Sequence, residues 1–373
     1  MQSNLGAARL WRPLARGVFC AAAALACAAA AAQPPAPEQA GDGNAGRAVL
    51  QLRVVGGLAG VNQYTHLEAP FWSRDLARLS GGRYGADIVP FDRAGVPGGQ
   101  MLRLLSQGVV PFGTVLLSSL TVPYPQYTAV DLPGLNPNMA TLRATLAAFR
   151  PYLEKALREE QGIEPLAIYV YPAQVLFCTR PLTGLDDLRG RRVRVSSASQ
   201  GDFFAALDAK PLVVPFAQIV RHMEAGSSDC AVTGTMSGNT IGLDKLTASL
   251  YPLPVNWGLA IFGANSAAWR ALPQDLRTLL HAELPKLESA IWRSAEQETA
   301  QGVACNIGAD GCTTGRRGRM KLAPVAVQDE ERSKAVFAAE VLPHWLRRCG
   351  ARCADIWNET IGRGRGIAAP RLP

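Results

Sequence analysis

Histidine is scarce in this 373-residue chain. The four, His66, His222, His281 and His344, are scattered without the spacing of metal ligands or of a base beside a nucleophile, and each reads as a surface or packing residue. The motifs of several enzyme classes are missing as well. There is no Gly-x-Ser-x-Gly elbow, no His-Glu-x-x-His pair and no Gly-x-x-x-x-Gly-Lys phosphate loop. The run GGLAG at 56–60 lacks the full glycine spacing of a dinucleotide turn and reads as a loop. After the N-terminus no stretch approaches about 18 uninterrupted apolar residues, so no membrane-spanning helix is expected there. No internal repeat or low-complexity tract follows residue 47. These absences speak against the common hydrolase, zinc-protease and nucleotide-binding classes. No cofactor or metal is expected, and an exported enzyme of unrecognised type stands as the enzymatic alternative, which turnover of a bound compound would expose.

What is present begins with an export signal. Arg9, Arg12 and Arg16 precede an apolar run over residues 18–32, too short to span a bilayer but suited to a signal peptide, and Ala30, Ala31 and Ala32 supply small residues for cleavage. Leu25 sits one residue too close to Cys27 for the usual lipoprotein spacing. Residues 33–47, rich in Pro, Gly and Ala, read as a flexible leader. Removing residues 1–32 takes away three arginines and no acids, so the formal charge falls from +8 to +5. The basic runs RRGRMK at 316–321 and RGR at 363–365 lack interleaved aromatics and read as solvated loops, so nucleic acid is not an expected partner.

Six of the eight cysteines lie beyond the leader, and an exported chain permits disulfides. Cys305, Cys312, Cys349 and Cys353 crowd the C-terminal fifth, where local bridges Cys305–Cys312 and Cys349–Cys353 are expected in preference to a zinc site. Cys178 and Cys230 lie in strand patterns and are expected as buried free thiols.

The chain alternates short apolar strands with helices, the rhythm of mostly parallel sheets covered on both faces. Strands are predicted at 52–55, 84–89, 112–117, 166–170, 175–178, 193–195, 212–214, 230–232 and 259–262. Leu142, Leu146, Phe149, Leu153 and Leu157 recur at helical spacing, with Asn138 as cap, Pro151 as an expected kink and Gly162 as stop. A chain of this length is expected to form two α/β lobes joined by more than one crossing, the plan of a hinged binding protein. The boundaries read as a first lobe of 48–171 with about 259–300, and a second of 172–258 with about 301–373.

The run GLDDLRGRRVRV at 184–195 resembles a block of the solute-binding subunits of tripartite ATP-independent periplasmic (TRAP) transporters, the DctP-type proteins. SGGR at 80–83, VPFAQIV at 214–220, EAGSSD at 224–229 and NSAAWRALP at 265–273 have counterparts in the same order, and the resemblance spans about 51–298. It implies a two-lobed periplasmic binding protein-like fold of type II, a small organic acid as ligand, and the integral membrane subunits of a TRAP transporter as partner. A sensing role is the alternative within the binding class.

Arg194 is the leading site residue. A guanidinium within a strand covered on both faces must find an anion, and an arginine fork can hold a carboxylate with two parallel hydrogen bonds. On pattern alone it reads equally as a solvated strand end or a partner of an internal acid, but the resemblance makes it the ligand's carboxylate clamp. Phe216, where a strand gives way to a helix, can stack on a ligand or pack locally. Asn256 and Trp257 lie at an expected crossing, so a cleft-facing role competes with an ordinary core position. Sugar-acid binders of the resembled family carry an arginine where Gln174 stands, an asparagine at Gly57 and a glutamate near Leu116, and their acidic and amide groups near Thr233 become Val232 and Thr233. Fewer hydrogen-bonding groups imply a less polar acid, aromatic or short-chain, with one carboxylate.

Overall fold

Runs of apolar residues that alternate with turn residues become eleven strands in the computed structural model, which describes residues 50–370. The expected signal peptide and flexible leader lie outside the described residues. In chain order the strands are β1 (Leu50–Gly56), β2 (Tyr84–Pro90), β3 (Phe112–Leu116), β4 (Ile163–Val170), β5 (Gln174–Cys178), β6 (Arg192–Val195), β7 (Lys210–Val213), β8 (Cys230–Gly234), β9 (Ser249–Asn256), β10 (Leu259–Asn265) and β11 (Lys321–Leu322). They form two sheets, ordered β2-β1-β3-β10-β4 and β11-β9-β5-β8-β6-β7.

Within each sheet one strand opposes its neighbours: β10 is antiparallel to β3 and β4, and β5 to β8 and β9. Both follow a crossing between the lobes. β4 leads to β5 through residues 171–173, and β9 leads to β10 through Trp257 and Gly258. A chain that passes almost straight from one sheet into the other keeps its direction, so it enters the second sheet against the strands that arrive by helical return. The remaining strands run parallel, as βαβ connections require.

Four helices place the site. α1 (Met139–Gln161) starts in a capping box, with the Asn138 side chain accepting from the Thr141 amide at 2.9 Å and the Thr141 hydroxyl accepting from the Asn138 amide at 3.3 Å. It passes through Pro151 and stops at Gly162, whose φ of 61° favours glycine. The leucine stripe forms its buried face. α2 (Ala198–Ala205) follows β6, α3 (Thr235–Thr240) follows β8, and α4 (Gln274–Ile307) packs on β4 in the first lobe and on α3 in the second. Gly302 makes the second contact possible, because a Cβ there would lie 2.3 Å from the Met236 nitrogen.

The C-terminal helices reach both lobes. In the helix Leu342–Cys349, the Trp345 indole donates to the Pro125 carbonyl at 2.8 Å in the first lobe. Arg348 pairs with Asp202 of α2 at 2.6 Å in the second.

Three disulfides are present among the described residues. Cys305–Cys312 and Cys349–Cys353 are the expected local bridges. The expectation of free thiols at Cys178 and Cys230 is corrected by a third bridge between them. The two residues face each other on one rung of the antiparallel β5–β8 pair, with Cα atoms 4.1 Å apart. Strand patterns in the sequence show burial but not register, so this pairing was invisible there.

The bridges differ in the loop they close, with sequence separations of 52 for Cys178–Cys230 and 7 for Cys305–Cys312. Loop-closure entropy predicts a loss of about 4 kcal/mol for the double variant Cys178→Ala/Cys230→Ala and about 2 kcal/mol for Cys305→Ala/Cys312→Ala. Urea melts of the two variants check the ranking, and equal losses would show that the bridges act through local packing instead.

Candidate functional site

The sequence of β6, RVRV, puts two valines on one face and two arginines on the other. Val193 and Val195 are fully buried in the core, and Arg194 is only 2% exposed. Flanked by β7 and β8, its guanidinium reaches over the ends of both neighbours. Nε and Nη2 donate to the Val214 carbonyl at 2.8 and 2.6 Å, and Nη1 donates to the Val232 carbonyl at 2.6 Å. Three N–H groups are thereby used, leaving one on each terminal nitrogen. Among the described residues no carboxylate accepts from this side chain. Burial alone lowers its pKa to about 9, because nothing nearby offsets the lost hydration of the cation.

Arg194 lines a cavity of about 360 Å³. The first lobe contributes the segments that follow β1, β2 and β3, with Leu58, Asp92 and Ser118 among the wall residues. The second contributes those after β6 and β7, with Ser196, Ser197 and Phe216. These are the carboxyl ends of the strands, where open α/β sheets gather ligands. Tyr171, Gln174, Asn256 and Gly258 from the crossings close the back.

Gln174, Phe216, Thr233 and Asn256 therefore share the wall with Arg194. The Gln174 amide donates to the Trp257 carbonyl at 3.3 Å. Asn256 has both ends of its amide engaged, Oδ1 accepting from Gln200 at 2.7 Å and Nδ2 donating to Asp131 at 2.9 Å. Of the two readings of Trp257, cleft-facing or core, the core position is the one found. Its indole is 3% exposed, donates to the Asn136 carbonyl at 2.9 Å, and is not part of the wall. Its backbone matters more. The amides of Trp257 and Gly258 donate to the Asp131 carboxylate at 2.9 and 2.7 Å, tying the β9–β10 crossing to the first lobe. Burial raises the Asp131 pKa to about 6 against the pull of these donors.

The sequence reading missed the acids of the first lobe. Asp92 follows β2 directly, a position that the strand-end rule flags. Glu68 carried no such signal, since a glutamate in a helical stretch normally faces water. Here it is fully buried behind the cavity wall, accepting from the Gly57 amide at 2.8 Å, the Thr114 hydroxyl at 2.6 Å and the Gln63 amide at 3.3 Å. The same cluster explains Gly57. A Cβ there would lie 3.0 Å from Glu68 Oε2, 3.1 Å from the Tyr171 hydroxyl and 3.2 Å from Gln63 Oε1, so no larger side chain fits without displacing them.

Desolvation raises the Glu68 pKa to about 7. A carboxyl whose pKa is higher in the folded state binds its proton more tightly there, so stability falls as pH rises from about 4.5 to about 7. Asp131 adds a slope of the same sign ending near pH 6. Glu68→Gln should remove the part of the slope between pH 6 and 7, leaving that of Asp131. Unfolding free energies across pH 4–8 measure this, and an unchanged slope in the variant would show that Glu68 titrates normally.

The family description that matches residues 55–311 is that of bacterial extracellular solute-binding protein family 7, DctP. No curated protein matches the chain. Among solved structures, the chain is similar to an extracytoplasmic solute receptor of Bordetella pertussis that binds pyroglutamic acid, with 21% identity, a TM-score of 0.73, and 83% of this chain and 98% of the other covered. It is also similar to a TRAP periplasmic solute-binding protein of Desulfovibrio salexigens with bound orotic acid, at 15% identity and a TM-score of 0.73, covering 84% and 99%. A third, from Haemophilus influenzae with bound L-gulonate, is 14% identical with a TM-score of 0.71, covering 85% and 100%. These likenesses carry the two-lobed periplasmic-binding fold, and the match over 55–311 agrees with the blocks read at 80–83, 184–195, 214–220, 224–229 and 265–273. The chain belongs to the DctP family of bacterial extracellular solute-binding proteins.

Proposed function

We propose that this protein is exported through its leader, with the mature chain starting near Gln33, and that it captures one small organic acid in the interlobe cavity for delivery to TRAP membrane subunits. The observation that carries the reading is Arg194: a cation 2% exposed, without a carboxylate partner among the described residues, on the wall of a cavity and with an N–H left on each terminal nitrogen. A carboxylate accepting those two N–H groups would neutralise the charge and complete the guanidinium's hydrogen bonds. The bound acids of the similar structures, pyroglutamate, orotate and L-gulonate, all bear a carboxylate. A cavity of about 360 Å³ suits a single compact acid, and Leu58, Leu116, Pro215, Phe216 and Leu259 give it apolar wall beside the polar side chains that also line it.

Capture then works by closure about the two crossings, at 171–173 and at Trp257–Gly258. The first lobe comprises 48–171 and about 259–300, the second 172–258 and about 301–373, with the C-terminal helices touching both. A closed cavity excludes water from the ion pair and strengthens it. Delivery requires a membrane partner, and neighbouring genes for one small and one large multi-spanning membrane protein would support that step.

A thermal-shift screen of organic acids followed by calorimetry tests the binding site. Arg194→Ala should weaken the best acid by about 2–5 kcal/mol, and Arg194→Lys should recover only part, because an ammonium cannot reproduce the fork. The empty variants should still melt cooperatively. Undiminished affinity, or a variant that unfolds, would make Arg194 a structural residue.

A further inference from the structure

Two walls of the cavity carry opposite charges that no counter-charge among the described residues pairs. Arg194 stands on the second-lobe side. On the first-lobe side Asp92 lines the same cavity, with Oδ1 accepting from the Ala59 amide at 3.0 Å and no further hydrogen bond to this carboxylate among the described residues. Behind that wall lies Glu68, buried and held by neutral donors. A simple monocarboxylate entering here gains Arg194 but offers the Asp92 carboxylate no donor at its other end. In a partly desolvated cleft an acceptor covered without a donor costs binding.

We propose that the ligand is bipolar, an acid whose carboxylate meets Arg194 and whose opposite end bears an N–H donor, an ammonium or an amide, that meets Asp92. This rests on the carboxylate reading above and narrows it to amino-acid-like or amide-bearing acids. A donor facing Asp92 instead completes its acceptor capacity with a charge-assisted hydrogen bond. The same carboxylate rejects an isostere that lacks the donor, since its oxygen would be desolvated without a partner. Asp92 is thus the specificity-determining residue and Arg194 the class-determining one. The two lie on different lobes, so only a ligand that satisfies both ends draws the lobes together.

Matched pairs of probes test this by calorimetry on the mature protein. Glutaramate is compared with 5-oxohexanoate, in which a methyl group replaces the amide nitrogen, and 5-aminopentanoate with hexanoate. The tightest acid from the melting screen is compared with its own nitrogen-free analogue. The nitrogen-bearing member should bind at least tenfold more tightly. Asp92→Asn, which keeps an acceptor for the Ala59 amide, should shrink that ratio by weakening the nitrogen-bearing member and tightening the other. If the tightest acid has no N–H donor, or the ratio survives Asp92→Asn, the bipolar ligand is ruled out while the Arg194 clamp stands. If no acid binds at all, the carboxylate reading is lost and this one with it.

Discussion

An unpaired guanidinium in a strand end is the constraint around which the second lobe is organised. Arg194 can stay in β6 only because the carbonyls of Val214 and Val232 project toward it from either side. Their positions depend on where β7 and β8 end. β8 is buried along its whole length and is fixed to β5 at its far end by the Cys178–Cys230 bridge, while Thr233 at its near end lines the cavity. A slip of β8 by one residue would remove an acceptor from Arg194 and turn Thr233 away from the wall at once. The bridge therefore bears on the cavity although it lies at the opposite end of the strand pair.

Direction reversal ties the hinge to the same design. β5 and β10 are the strands entered from the other lobe, and each begins beside a crossing that lines the back of the cavity. The crossing at 257–258 is held by Asp131, which binds two backbone amides and the Asn256 side chain, and Asn256 in turn accepts from Gln200. Gln200 is fully buried in α2 and accepts from the Ser196 amide at 2.7 Å on the cavity wall. Hydrogen bonds thus run without a break from the first lobe through the crossing to the wall beside Arg194.

Much of this was readable before any coordinates. Helix α1 announced itself through its leucine spacing, its Asn138 cap and its Gly162 stop, all local features of sequence. Strand positions followed from apolar runs, and the resembled blocks pointed to the family and to Arg194. What escaped depends on contacts distant in sequence. The Cys178–Cys230 pairing needs the register of β5 on β8. Strand β9, whose run SLYPLPVN contains two prolines, did not read as a strand; its burial between β5 and β11 outweighs that local preference. Glu68 and Asp131 look like ordinary surface acids, and only packing reveals that they are enclosed. Trp257 stayed open between cleft and core for the converse reason: its place at the crossing is legible, but the sequence does not say which way the indole points.

Arg192 sharpens the argument about Arg194. Both lie on one strand and, by the two-residue period, on one face. Arg192 has an acid, Asp229, which pairs with its guanidinium at 2.9 Å and accepts from its amide at 2.8 Å just before β8 begins. Further along the same edge, where an acid on β8 could do the same for Arg194, the chain has Val232 and Thr233. Among the described residues one arginine is thus neutralised by a carboxylate and its neighbour is not. A buried cation left without a counter-ion costs stability, so its place on a cavity wall is best accounted for by an anion that arrives from outside. The contrast between two arginines on one four-residue strand supports the proposed anion site at the cavity end of β6 without recourse to the family resemblance that first singled it out.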